Sequence, residues 1–363
     1  MGEPDLVTVV VPASNEAGFV GACLRSVREQ DYSALQIVVV DGASTDGTVP
    51  EVRTQMAADP RIELVCNPRR NIPSSLNLAL ERARGRWLVR VDAHSTVPAG
   101  YISVAVDRLR EGRWGGVGGR KDGFGRTPAG RAIAVAMASR LGVGNSTYHF
   151  GTAPQEVDHL PFGAYPVEVV RGIGGWDETL TANEDFEFDY RRRAAGQRLL
   201  FEPRMAIRWY CRQSLPDLFR QYHRYGRGKV DVAWLHPRSM QPRHLAPPAF
   251  VAYLALGLLL NARRPGRLLL MLAPYLAAVG AESARAGRQL GSAQERIWLP
   301  GAFVAMHLGW GLGFWSGVRR TLPARLRQPG RTSPWSTSTW TDGSGEAAGP
   351  RTTEPSLMEN SLP

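Results

Sequence analysis

Asp92-Ala93-His94 sets a carboxylate and an imidazole two residues apart, directly after the apolar run Trp87 to Val91. Residues i and i+2 at a strand end can both turn toward one ion, and a divalent cation held there would neutralise a departing diphosphate. Imidazole suits manganese better than magnesium, so manganese is favoured and magnesium admitted. Out of context the triplet also reads as a helix-capping aspartate followed by a surface histidine. A second group of acids, Asn183-Glu184-Asp185-Phe186-Glu187-Phe188-Asp189, precedes an arginine-rich helix from Tyr190. Carboxylates crowded in this way repel one another, which raises the pKa of at least one toward that of a general base. Asp185 is assigned as the base, with Glu184 beside it as the second catalytic carboxylate. Glu187 and Asp189 read as solvated charges of a first helical turn.

Two further patterns complete the chemistry. Asp41, at the end of the run Gln36 to Val40 and followed by Gly42, can accept hydrogen bonds from a base imide or a ribose; its alternative is an Asx-turn. Asp46-Gly47-Thr48 reads as a turn entering an N-cap. In Gln221-Tyr222-His223-Arg224-Tyr225, a helix places Gln221, Arg224 and Tyr225 on one face, offering an amide, a cation and a ring to a pyrophosphate and a sugar. A basic amphipathic helix lying on lipid explains the same residues. A base grip, a counter-charge for diphosphate and a proton acceptor are the three needs of glycosyl transfer from a nucleotide sugar.

These residues must be positioned by a scaffold, and the first 120 residues supply one. Strand candidates Leu6 to Val11, Gln36 to Val40, Ile62 to Cys66, Trp87 to Val91 and Gly115 to Gly118 alternate with helix candidates near Gly18 to Glu29, Asp46 to Ala57, Ser74 to Arg84 and Ala99 to Arg110. Near-continuous apolar strands predict an α/β fold, a mostly parallel sheet with helices on both faces. Ligands then collect beyond the carboxyl ends of the strands, where Pro12 to Glu16, Asp41 and Asp92 to His94 all fall. From Arg126 to Pro166 the rhythm breaks, and a helix followed by a loop is expected. A strand pair near Leu199 to Arg212 and a basic aromatic helix, Leu215 to Lys229, close the domain at about residue 235.

The formal charge of +11 suggests nucleic acid until it is divided. Residues 1 to 235 carry 30 Lys+Arg against 27 Asp+Glu, and the remainder 14 against 6, concentrated around apolar stretches. That distribution fits anionic lipid better than a phosphate-tracking groove, and no nucleic-acid partner is expected. Ala249 to Leu260 and Leu268 to Ala281 are apolar runs of 12 and 14 residues, and Leu299 to Val318 runs 20 without a charge. Residues 236–322 are therefore read as a membrane region. Its expected parts are an interfacial helix near 247–262 and a transmembrane hairpin near 266–283 and 299–318, with Arg263, Arg264, Arg267, Arg319 and Arg320 cytoplasmic. Residues 323–363 read as a disordered tail. Cys23, Cys66 and Cys211 lack metal or disulfide spacing. No signal peptide is read at the start, which places the first domain in the cytoplasm.

Taken in order, Pro12 to Glu16, Asp41 to Thr48, Asp92-Ala93-His94, Glu184-Asp185 and Gln221-x-x-Arg224-Tyr225 resemble family-2 glycosyltransferases of the GT-A fold. Arg90-Val91-Asp92-Ala93-His94, Gly174 to Glu178 and the apolar C-terminus are similar to the exopolysaccharide, succinoglycan-type subgroup. The resemblance implies that Pro12, Glu16 and Asp41 contact the nucleotide. It implies that Asp92 and His94 form the metal motif, Asp185 is the base of an inverting displacement, and Gln221, Arg224 and Tyr225 match a Q-x-x-R-W motif. The implied donor is a nucleotide diphosphate sugar, by preference a UDP-hexose, and the implied acceptor a saccharide or lipid-linked saccharide at the cytoplasmic membrane. His94 stands where the usual second Asp would be, Tyr225 stands in place of Trp, and the membrane part is too small for a polysaccharide channel. A processive synthase is thereby disfavoured. Transfer to a polyprenyl phosphate and a non-catalytic membrane scaffold are the competing readings.

Overall fold

The computed structural model describes residues 5–327. Its first half holds β1 (Val7–Ala13), β2 (Leu35–Asp41), β3 (Ile62–Cys66) and β4 (Trp87–Arg90), all parallel, linked by α1 (Val20–Arg28), α2 (Thr48–Ala58) and α3 (Ile72–Arg82). Next come β5 (Ser95–Thr96), α4 (Tyr101–Arg110), β6 (Gly116–Gly118), β7 (Lys121–Phe124), α5 (Pro128–Met137) and α6 (Arg140–Val143). They are followed by β8 (Gln155–Val157), β9 (Gly163–Pro166), α7 (Val167–Gly172), α8 (Glu184–Ala194), β10 (Leu199–Phe201), β11 (Ile207–Tyr210) and α9 (Leu215–Leu235). Helices α10 (Pro242–Asn261), α11 (Pro265–Ala286), α12 (Ala293–Arg296) and α13 (Leu299–Arg327) complete the described chain.

The main sheet runs β3-β2-β1-β4-β9-β6-β10-β8. Successive residues of one strand feed opposite cores. Val9 and Val11 pack with Val20, Leu24, Ile102 and Val106, whereas Val10 packs with Val38, Leu76, Leu80 and Val170. Both faces are covered, which is why β1 and β2 are apolar at nearly every position. The expected parallel order holds from β3 to β4, but β9 enters antiparallel between β4 and β6. Where a loop is expected before Pro166 the structure forms two strands, β8 and β9, which are three and four residues long and too short to show a period. A small second sheet, β5-β11-β7, stands at the strand ends. Its Tyr210 N–H donates to the His94 carbonyl at 3.1 Å and so fixes the turn that carries Asp92.

The three apolar runs become α10, α11 and α13, each long and apolar enough to cross a membrane by length and composition. Apart from residues 323–327, which end α13, the expected tail lies outside the described residues.

Candidate active site

Two loops at the ends of β1 and β2 interlock. Asn15 N–H donates to Ser44 Oγ at 2.9 Å, Thr45 N–H to Asn15 Oδ1 at 2.9 Å, and Glu16 N–H to Thr48 Oγ1 at 2.7 Å. Asn15 and Ala43 both sit in the left-handed region, at φ 56° and 54°, a conformation that costs alanine energy and persists only where surrounding bonds impose it. Asp46 accepts from Thr48 and Ala17 N–H groups, the turn expected of it, while the N-cap of α2 is Gly47, which has no side chain to cap with. Asp41 is buried and accepts from Ser44 N–H at 3.1 Å.

The cation motif is held from behind. Arg90 Nε donates to Asp92 Oδ1 at 3.0 Å, and His94 Nδ1 lies 3.0 Å from Glu16 Oε1. Metal-bound imidazoles are oriented in this way, one nitrogen on a carboxylate and the other toward the ion. Among the described residues no three His, Cys, Asp or Glu side chains gather as a closed metal cage. Two protein ligands, Asp92 and His94 Nε2, suit a magnesium- or manganese-type ion that takes its other ligands from substrate phosphates and water. The residues present fit such an ion.

Asp185 stands at the start of α8. Asn183, left-handed at φ 62°, donates from Nδ2 to the Tyr225 carbonyl at 3.0 Å and ties this turn to α9. Asp185 Oδ2 lies 3.9 Å from His159 Nε2, and His159 Nδ1 is 2.8 Å from Asp189 Oδ2. Glu184, with Oε1 3.6 Å from Arg90 Nη1, is the carboxyl whose pKa is raised. Burial first, and then the Asp185 charge, push it up to about 7. Glu187 and Asp189 are not solvated: both are completely buried. Glu187 accepts from Arg191 and pairs with His236, and Asp189 accepts from Arg192 and from Leu160 N–H. The charges of α8 thus bind it to the loop between β8 and β9 and to the C-cap of α9.

Asp92, His94, Glu184, Asp185, Gln221, Arg224 and Tyr225 line one cavity of about 630 Å³. Pro12, Glu16 and Asp41 do not line it; Glu16 reaches it only through His94, and Asp41 ends the strand beside β1. Gln221 donates to Tyr225 Oη at 2.8 Å and leaves its own buried carbonyl oxygen without a partner among the described residues, open to a hydroxyl. Sequence reasoning missed two lysines of the cavity, Lys121, which is half-buried, and Lys229, which is buried. Lys121 Nζ lies 3.7 Å from the Trp209 ring centroid and Lys229 Nζ 3.3 Å from that of Phe186, and burial lowers their pKa values to about 8 and about 7. Cations so placed suit an anionic ligand. The cavity then runs on to Phe250, Tyr275, Met306 and Trp310, on α10, α11 and α13.

A model of glycosyl transferase family 2 matches residues 8–161. The succinoglycan biosynthesis protein ExoA of Rhizobium meliloti (strain 1021) is 32% identical over 324 residues, covering 85% of this chain and 93% of ExoA. The chain belongs to glycosyltransferase family 2. This family-2 glycosyltransferase is also 21% identical over 251 residues to a dolichyl N-acetyl-alpha-D-glucosaminyl phosphate 3-beta-D-2,3-diacetamido-2,3-dideoxy-beta-D-glucuronosyltransferase of Methanococcus voltae, covering 64% of this chain and 78% of that one. Among solved structures, the mannosyltransferase PcManGT from Pyrobaculum calidifontis, in complex with GDP-Man and Mn2+, superimposes with a TM-score of 0.52 at 24% identity. The match spans 84% of this chain and 87% of that one, and it places the family-2 glycosyltransferase in the GT-A fold.

Proposed function

We propose that this enzyme is an inverting transferase that carries a hexose from a nucleotide diphosphate sugar, by preference a UDP-hexose, to a saccharide borne on a membrane lipid. The product feeds exopolysaccharide or cell-envelope glycan synthesis, and the catalytic domain works on the cytoplasmic face. One observation carries the reading: Asp92 and Asp185 share a cavity that continues without interruption to the apolar helices α10, α11 and α13. A soluble acceptor needs no such wall, whereas a lipid-borne one has an apolar part to place. The Methanococcus relative, named for a dolichyl-linked sugar phosphate, supports an acceptor of this class.

The nucleoside would rest over the interlocked loops at Glu16 and Asp41. A divalent ion bound by Asp92 and His94 would supply positive charge to the diphosphate. Asp185 takes the proton of the acceptor hydroxyl while that oxygen attacks the anomeric carbon in line, and the electron pair of the breaking bond leaves with the diphosphate. Arg224 and Lys121 face that developing charge. The test uses nucleotide sugars with lipid extracts as acceptors. Asp185→Asn abolishes transfer and spares donor binding, while Asp92→Ala weakens both. Wild-type turnover by Asp185→Asn overturns the assignment, and a lipid phosphosugar product in place of a lengthened saccharide overturns the acceptor class.

A further inference from the structure

Among the described residues three helices are apolar enough to span a bilayer, but their surroundings differ. Only 17% of the most apolar stretch of α10 and 6% of that of α11 is buried, against 44% for α13. The reason lies in α9. Helix α13 runs parallel to it over the whole of its length: Gly301 faces Leu215, Gly309 faces Phe219 and Tyr222, Gly313 faces His223, and Gly317 faces Arg227 and Val230. The pair is closed at the far end by Trp234 Nε1 donating to Thr321 Oγ1 at 2.8 Å and by Arg320 on Asp231 at 2.6 Å. Since α9 also carries Asp217, Arg220, Arg224, Arg227 and Lys229, α13 cannot cross hydrocarbon without drawing these charges in with it.

Helices α10 and α11 form an antiparallel hairpin, with Phe250 and Tyr275 rings 4.3 Å apart. Both of its ends are fastened to the catalytic domain. Arg243 binds Asp158 at 2.7 Å and the His244 carbonyl accepts from Trp310, while Glu282 accepts from Ser139. Between these anchors Leu256, Leu258, Leu259, Leu260, Leu269 and Leu270 are exposed. The apolar runs of 12 and 14 residues reach roughly 18 and 21 Å at 1.5 Å per residue, short of the ~30 Å of a hydrocarbon core. At the tip stand Arg263, Arg264 and Arg267, all exposed, and near the base are exposed Ile297 and Trp298.

We infer that the α10–α11 hairpin is immersed in a single leaflet of an anionic bilayer, with its arginine tip in the headgroups, and that α13 is a strut of the catalytic domain which does not span. The described chain therefore stays on one side of the membrane. Runs too short to cross lie along the leaflet, their exposed leucines in the acyl region and the tip arginines on lipid phosphate. A crossing hairpin would instead leave three arginines on the far side, against the positive-inside rule.

The full-length protein, with Cys66→Ser, is diluted from detergent onto preformed sealed vesicles of phosphatidylglycerol and phosphatidylcholine. Single cysteines are placed at Ala262, Ala293 and Arg319; native Cys23 and Cys211 are buried. All three label with an impermeant maleimide added outside, without detergent. Protection of Ala262→Cys until detergent is added makes the hairpin a span, and opposite behaviour of Ala293→Cys and Arg319→Cys makes α13 one; either outcome overturns the inference. Leu259→Gln with Leu270→Gln lowers vesicle binding about tenfold or more. A stable dimer that ignores vesicles would instead show that the apolar face serves a second copy, and would also overturn it.

Discussion

His94 Nδ1 and Glu16 Oε1 lie 3.0 Å apart, which joins the loop after β1 to the turn after β4 and leaves His94 Nε2 free to face the cavity. A carboxylate in this place sets the ring's tautomer and its basicity toward a cation. Glu16→Ala is expected to raise the manganese concentration needed for half-maximal activity by roughly 10- to 100-fold, with turnover recovering at saturating metal. Metal titration of initial rates checks this.

His159 is expected to act on turnover and not on donor binding. Its Nε2 is aimed at Asp185 by the buried carboxylate of Asp189, and it takes no place in the nucleotide loops. His159→Gln keeps a polar side chain but loses the imidazole. It should lower kcat by roughly 100-fold, the low end for positioned acid–base groups, while donor KM stays the same.

Glu184 makes stability depend on pH. Its folded pKa of about 7 lies above its ordinary 4.5, so the folded protein holds a proton that the unfolded chain releases. This contribution is complete below about pH 4.5 and is lost as pH rises through about 7. Glu184→Gln lacks the titration. Its unfolding temperature should gain on that of the parent protein as pH goes from 6 to 8.5, which thermal scans at the two values would measure.

Gly313 has no room for a methyl group. A Cβ there runs into the His223 carbonyl of α9. Gly313→Ala should therefore cost about 1–3 kcal/mol despite alanine's better helix propensity, seen as a lower denaturant midpoint.

Asp92 and His94 were legible because polar residues after apolar strands stand out in a parallel sheet, and Asp185 because acids crowd before an arginine-rich helix. Other features left weaker traces. Glu187 and Asp189 follow the same first-turn pattern whether they face water or a buried arginine, so the sequence alone could not tell that they were internal. Lys229 follows Gln221 and Tyr225 at steps of four, and extending that helix face by one more turn would have found it. Lys121 opens the four-residue β7 and His159 lies in a loop, so neither has a period to expose it. The glycines at 309, 313 and 317 were visible at helical spacing. What hydropathy could not reveal was that their partner is a charged helix and not lipid.

The cavity is also informative about where the chain can be cut. The groups proposed for catalysis come from residues before Leu235, yet Phe250, Tyr275, Met306 and Trp310 close its other side. A fragment ending at Leu235 would keep Asp92, His94, Glu184, Asp185 and Arg224 but would have an open bowl for a pocket, with α9 stripped of its backing. Such a fragment should precipitate or bind donor without transferring sugar, so the smallest working enzyme includes the greasy C-terminal helices.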